Sequence, residues 1–349
     1  MDQQPPSRAL QENVIIATRL FGDLVVRTDP AQAEDLNRLA SQAAVYVTRA
    51  HGAGTIRAYR SAWKLYCAWC ADLGFAPVNG DPRVISLYAV KVSERLAIAT
   101  LRVHLAAIAA AHRLAGQQID LKHPSIALVV DGIARTQATR PRRRANPLSV
   151  QSLAEMSRRQ GVGPLGTRNR AMLLIGFLAA LRRSELVALD IGDVEEIPGK
   201  GLKITLRRSK TDQYGEGQAV GIRAAENHDL CAVVAWRSWL ALRRDVRRDA
   251  PLFTGVRKNG IVTDNRLSDK AVERLLKTAA AEMRLPDPGR YTAHSLRAGL
   301  ITAADEDDAQ LHHIMNQSRH RSVETVRGYM RSRDIWRNNV TDRIVRQAV

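Results

Sequence analysis

Apolar residues recur at three- and four-residue spacing through 36–47, 55–73, 82–93, 99–114 and 125–134, the period at which a helix buries one face. These stretches predict a compact bundle of four or five helices over 36–139. Thr55, Thr100 and Ser125 stand where N-caps belong, and Gly74 and Gly116 stand where helices should stop. The pattern breaks at Arg140-Pro141-Arg142-Arg143-Arg144-Ala145-Asn146-Pro147, where prolines oppose a helix and the charges oppose a core. Residues 140–147 therefore read as an interdomain linker. Beyond them helical periodicity resumes over 150–160, 168–181 and 184–189. It gives way to strand alternation over 203–206 and 218–222, around a polar, glycine-rich stretch, which predicts a hairpin or small sheet. Helices return over 229–243, 268–283, 294–304, 308–316 and 323–330. The expected fold is mainly α with a small β-sheet, in two domains at 36–139 and 148–349. Residues 1–35 read as an arm, with room for a short helix over 14–26, and no internal repeat is visible.

A length of 349 residues suits two domains that each bury a core. Charge narrows the partner: 53 Lys and Arg against 35 Asp and Glu leave a net +18, which calls for a polyanion. Nucleic acid comes first, with an acidic membrane surface as the alternative. No apolar stretch approaches the roughly 20 residues a spanning helix needs, and the longest run, 171–181, reads as a buried helix. Residues 1–10 are polar with two prolines and lack the basic and apolar segments of a secretory signal. A cytoplasmic place, in a bacterial cytoplasm or nucleoid, is the expectation. The three cysteines agree, being too few for a disulfide framework. Cys67 and Cys70 form a C-x-x-C compatible with a redox pair or half a zinc site. They share a helical face with Trp63 and Tyr66, however, which favours a core role.

Three segments of the second domain carry chemistry. Ala180-Leu181-Arg182-Arg183-Ser184-Glu185-Leu186 puts an arginine at the end of a buried helix with a glutamate three residues on. His294-Ser295-Leu296-Arg297 places an imidazole and a guanidinium on one helix face. His320 is followed nine residues later by Tyr329, in Arg319-His320-Arg321-Ser322-Val323-Glu324-Thr325-Val326-Arg327-Gly328-Tyr329. In order, local sequence and spacing these segments resemble the tyrosine recombinase, or phage integrase, family over about 148–340. The resemblance extends to the first domain, whose Trp- and Tyr-bearing helix and Ala-Thr-Leu-Arg helix are similar to the core-binding domain of Cre-like enzymes. Arg182, His294, Arg297, His320 and Tyr329 match the family's arginine, histidine, arginine, histidine-or-tryptophan and tyrosine positions. Lys210 matches the lysine of the family's β-hairpin, with Lys203 a nearby alternative. Glu185 matches the position that braces the site histidine in relatives. Ala180 and Arg319 stand where glycine is usual.

The resemblance implies an N-terminal helical, SAM-like core-binding domain and an α+β catalytic domain at 148–349. It also implies a site-specific recombinase that cleaves and rejoins double-stranded DNA at a specific recombination site through a 3′-phosphotyrosyl intermediate. No cofactor and no metal are implied, and the working form is a homotetramer on two DNA sites, each chain clamping its duplex. The chemistry explains the residue types. Charge develops on the non-bridging oxygens during phosphoryl transfer, and Arg182 and Arg297 can each fork two hydrogen bonds onto them. His320 is expected to donate a further bond, His294 to accept the phenol proton of Tyr329, and Lys210 to protonate the leaving 5′ oxygen. Arg140, Arg142, Arg143 and Arg144 read either as solvated surface or as a tether along phosphates. The stripe Ile335, Trp336, Val340 and Ile344 packs onto its own domain or into a neighbouring copy, with the second favoured. Three other readings compete. They are a DNA-binding protein without catalysis, a type IB topoisomerase-like nicking and closing enzyme, and a metal-dependent nuclease built on His312, His313 and His320. The third lacks any H-E-x-x-H or acidic cluster.

Overall fold

Helix periodicity becomes helix wherever a buried face waits for it. The computed structural model describes residues 52–138, 145–207 and 217–330, with the single positions 38, 39, 42 and 341. The chain divides into two compact units, Met1–Arg142 and Arg143–Val349. Unit 1 contains α1 (Ala53–Asp72), α2 (Pro82–Ser93), α3 (Ile98–Leu114) and α4 (Pro124–Ala138). On α1, Ala62, Tyr66 and Cys70 recur every four residues and are buried. Tyr66 meets Tyr88 edge to face at 4.9 Å, and Trp69 lies 5.3 Å from Tyr88. Cys67 is half-buried beside this cluster and Cys70 is inside it, both as free thiols, so the C-x-x-C is core packing.

The capping expectations need correction. Thr55, Thr100 and Ser125 lie inside their helices, which start at Ala53, Ile98 and Pro124. At α3 a distant side chain replaces the local cap: Gln137 Oε1 accepts the Ile98 N–H at 2.8 Å. The same amide donates to Ser93 O and Leu96 O at 3.1 and 3.0 Å, closing the end of α2 against the start of α3. Gly74 and Gly116 do follow helices, at φ +74° and +77°, where a side chain would be strained.

Unit 2 is built around α6 (Pro164–Leu178), in which Ala171 to Ile175 and Phe177 are all buried. Such a helix has no polar stripe because it is covered on every side, here by α5 (Val150–Arg159), α8 (Ala232–Leu240) and α10 (Ala293–Glu306). An antiparallel sheet runs β1 (Val194–Ile197), β2 (Gly201–Leu206), β3 (Gln218–Arg223), with Ile204 facing Val194 and Val220. Leu202, Ile204 and Leu206 point into the core and alternate with Lys203 and Thr205. The expected hairpin thus gains a third strand, and a separate ribbon pairs β4 (Thr254–Val256) with β5 (Val262–Arg266). The remaining helices are α7 (Arg183–Ala188), α9 (Asp269–Glu282), α11 (Leu311–Ser318) and α12 (Val323–Met330). The stretch expected to be one helix over 229–243 is a 3₁₀ turn followed by the shorter α8.

Close packing sets the position of α10. A Cβ on Gly299 would come within 2.1 Å of Leu148 O, so glycine lets the helix lie directly on the segment before α5. The Leu148 N–H donates to Ser295 O at 3.1 Å in the same contact.

Candidate active site

The site gathers where four chain segments of unit 2 end or begin. α6 stops at Leu178 because Ala180 turns into the left-handed region at φ 47°, and Arg182 then caps α7 in extended conformation. The expectation that Arg182 ends the buried helix is corrected by this turn. Glu185, in the first turn of α7, reaches back to accept the Arg182 N–H at 2.9 Å and also binds its guanidinium Nη1.

α10 is capped by Thr292, whose Oγ1 accepts the His294 N–H at 3.3 Å while Ser295 Oγ accepts the Thr292 N–H at 3.0 Å. That start places His294 and Arg297 one turn apart on one face. Arg297 is only 2% exposed. Its Nη1 donates to Ala180 O at 2.7 Å and its Nη2 to His320 Nε2 at 3.1 Å. α11 ends with Arg319 at φ 56°, which reverses the chain and brings His320 against Arg297. α12 then carries Tyr329 back to the site. Its hydroxyl lies 2.9 Å from His294 Nε2, and its ring packs with Ile301, Ile314 and Val326.

Hydrogen-bond arithmetic assigns the protons. Ser318 Oγ holds one hydrogen and lies 2.6 Å from Ile314 O, an acceptor only, so it accepts from His320 Nδ1 at 2.8 Å. His320 Nε2 is then the bare nitrogen that takes the Arg297 N–H. Burial, with Arg297, Arg182 and Arg319 close by, pushes His320 down to about 4, so the ring is neutral at working pH. The ring expected to donate to a phosphate lies here between Ser318 Oγ and Arg297 Nη2, the latter 3.1 Å from Nε2 and 3.3 Å from Nδ1. His294 opens to solvent at one edge, yet the protein around it and the charges of Arg297 and Arg182 lower its pKa. Neutral His294 therefore accepts from the Tyr329 hydroxyl. Burial raises the Tyr329 phenol, and Arg297 and Arg182 offset only part of that rise. Arg297 is pushed down to about 10 by burial and by Arg182 and Arg319, and stays charged at any working pH.

Arg182, Ser184, His294 and Arg297 line a cleft of about 440 Å³. A larger cleft of about 750 Å³, between α5, α6 and α9, has none of the five motif residues in its wall. The structure thus brings Arg182, His294, Arg297, His320 and Tyr329 together. Lys210, the linker residues Arg140, Arg142, Arg143 and Arg144, and the stripe at 335, 336, 340 and 344 lie outside the described residues. Glu185 binds Arg182 and Arg319 and neither histidine, which corrects its expected bracing role. Of the third competing reading's residues, the His312 and His313 rings lie 4.0 Å apart at a 54° tilt, while His320 faces Arg297.

Two neighbours went unread as part of the site. Ser318 orients His320, and Arg319 is buried against Glu185. The signal for Arg319 was in plain view, since a charged residue at a glycine position needs a reason.

The phage integrase family profile matches residues 143–335. Over 90% of its length the chain is 28% identical to an integrase/recombinase XerD homolog of Selenomonas ruminantium, spanning 92% of that relative. It is 29% identical over 203 residues to the tyrosine recombinase XerC of Chromohalobacter salexigens, spanning 57% of this chain and 60% of that one. Its fold is similar to that of the XerH site-specific recombinase bound to palindromic difH substrate, with TM-score 0.60, 16% identity and 94% of each chain covered. It is also similar to a lambda integrase dimer bound to a COC′ core site, with TM-score 0.54, 17% identity and 83% and 93% coverage.

Proposed function

The chain belongs to the phage integrase family, and from that premise we propose how its own residues break and rejoin a DNA strand. It is a tyrosine-type site-specific recombinase, an enzyme whose partner is DNA. Arg182 and Arg297 receive the non-bridging oxygens of the scissile phosphate. Tyr329 Oη attacks phosphorus while its proton passes to His294 Nε2, and the P–O5′ bond breaks. Lys210 protonates the departing 5′ oxygen. The products are a 3′-phosphotyrosine and a free 5′ hydroxyl, and attack by another strand's 5′ hydroxyl reverses the step with no outside energy source. The working assembly is a homotetramer on two DNA sites, inside a bacterial cytoplasm or nucleoid. The basic linker Arg140, Arg142, Arg143 and Arg144 runs along phosphates and makes binding salt-sensitive.

One observation carries this reading: the Tyr329 hydroxyl sits 2.9 Å from His294 Nε2, within reach of the charges of Arg297 and Arg182. Incubation with a nicked duplex followed by protease digestion and mass spectrometry is expected to find the DNA 3′ phosphate on the Tyr329 peptide. Attachment elsewhere, or none, overturns the assignment.

The lowered pKa of His294 also sets a pH profile. His294 must be neutral to accept the proton, so the rate is at its plateau above the lowered value and falls as pH drops through it. The raised phenol supplies no free phenolate until pH exceeds the ordinary tyrosine value of about 10. Single-turnover cleavage is therefore expected to be flat from pH 7 to 9, with its acid limb below about 6.5. His294→Ala should flatten that limb, and an unchanged limb assigns it to another group.

A further inference from the structure

Arg319 sits where the backbone favours glycine, at φ 56°, ψ 42°, a region that costs an ordinary side chain about 1 kcal/mol. Its side chain is nevertheless 6% exposed and deeply engaged. Nη1 donates to Ala179 O at 2.9 Å and Gln317 O at 3.2 Å, and Nη2 donates to Ala180 O at 3.1 Å and Glu185 Oε2 at 3.0 Å. Glu185 is itself 5% exposed, so its charge has little water to screen it. The carboxylate is shared: Oε1 faces Arg182 Nη1, while Oε2 takes both the Arg182 N–H and Arg319 Nη2. Burial works to raise the Glu185 carboxyl, but the Arg182 N–H and the Arg319 and Arg182 charges outweigh it and hold it ionised.

The charge balance shows what a lone partner would do. A buried carboxylate facing Arg182 alone would offset the charge that guanidinium offers to the cleft. Three guanidiniums, Arg182, Arg297 and Arg319, against one carboxylate leave two net positive charges. A phosphodiester brings one negative charge and acquires a second in the transition state, and that net positive charge stands where it develops.

We propose that Arg319 is a positioning residue that takes up the charge of Glu185, so that Arg182 meets the scissile phosphate as a full cation. Arg319 also shares the Ala180 carbonyl with Arg297, tying both phosphate-binding arginines to one turn. The inference rests on the recombinase reading above and adds to it a residue that stands where glycine is usual.

The test is single-turnover formation of the covalent adduct on a nicked duplex, with DNA affinity and thermal stability measured alongside. Arg319→Gly suits the left-handed backbone and is expected to slow adduct formation by about 100-fold, with affinity changed only a few-fold. Adding Glu185→Gln removes the charge that Arg319 balanced, and the double variant is expected to recover about tenfold or more over Arg319→Gly. A merely structural clasp would lose and regain thermal stability together with rate, so the recovery counts where the melting temperatures of the single and double variants agree. A wild-type rate in Arg319→Gly, or a double variant no faster than the single, overturns the proposal. Should Arg319→Gly not fold, Arg319→Lys and Arg319→Gln decide. Both lose the planar fork but differ in charge, so lysine must cleave about tenfold faster than glutamine, and equal rates overturn the proposal. Wild-type protein that forms no adduct would sink the recombinase reading itself. Wild-type adduct with indifferent Arg319 variants sinks this inference alone.

Discussion

Tyr329→Phe is expected to abolish the covalent protein–DNA adduct outright while leaving DNA affinity within a few-fold of wild type. The substitution removes one oxygen and keeps the ring, so the packing of Tyr329 against Ile301, Ile314 and Val326 survives. What is lost locally is the 2.9 Å hydrogen bond to His294 Nε2, worth about 1 kcal/mol of stability. The melting temperature should therefore move by only a few degrees. The chemical loss is of another order, because no phosphotyrosine can form without the phenolic oxygen. A gel-shift titration beside denaturing electrophoresis separates the two effects. Residual adduct in the variant would mean that another side chain attacks, and the role given to Tyr329 would be wrong.

The sequence disclosed the components of this site better than their connections. Periodicity revealed most helices because each buries a regular stripe, as α1 does with Ala62, Tyr66 and Cys70. β1 escaped notice because Val194-Glu195-Glu196-Ile197 is short and charged at its centre, and β4 is only three residues long. The N-cap of α3 was illegible for a different reason. Its acceptor is Gln137, 39 positions away, and local capping rules see only neighbours. The motif segments indicated which side chains should meet, since helical spacing fixes His294 and Arg297 on one face. Hydrogen-bond partners depend on tertiary approach instead. Glu185 finds Arg319 across 134 positions, and Arg297 finds His320 across 23, so neither bond can be read from the order of residues. The Ser318 contact that fixes the His320 proton is local, only two residues away, but it matters only once Arg297 has closed on the other nitrogen.

The second large effect concerns the two phosphate-binding arginines, which should fail alike in rate and differently in stability. Arg182→Ala and Arg297→Ala are each expected to slow single-turnover cleavage by about 1,000-fold or more, since each deletes charge aimed at the developing oxyanion. Their surroundings differ. The Arg182 side chain is 25% exposed, and after its loss Glu185 still holds Arg319, so the buried carboxylate stays paired. Stability should fall by about 1 kcal/mol. Arg297 is buried, and its loss leaves a cavity and strips the donor from His320 Nε2. That variant should lose about 2 kcal/mol or more. In Arg297→Ala, His320 also loses the charge that helps depress it, so its pKa should rise from about 4 toward the ordinary histidine value. NMR titration of the His320 ring measures that rise directly. Calorimetry and DNA titration complete the comparison: both variants should still bind duplex, because one arginine in a chain of net charge +18 is a small part of the electrostatic footprint. Collapse of binding in either one would make that arginine an anchor for the duplex and remove it from the reacting phosphate. An unmoved His320 pKa would show that Arg297 does not face that ring in solution, and the geometry that makes His320 an acceptor would fall with it.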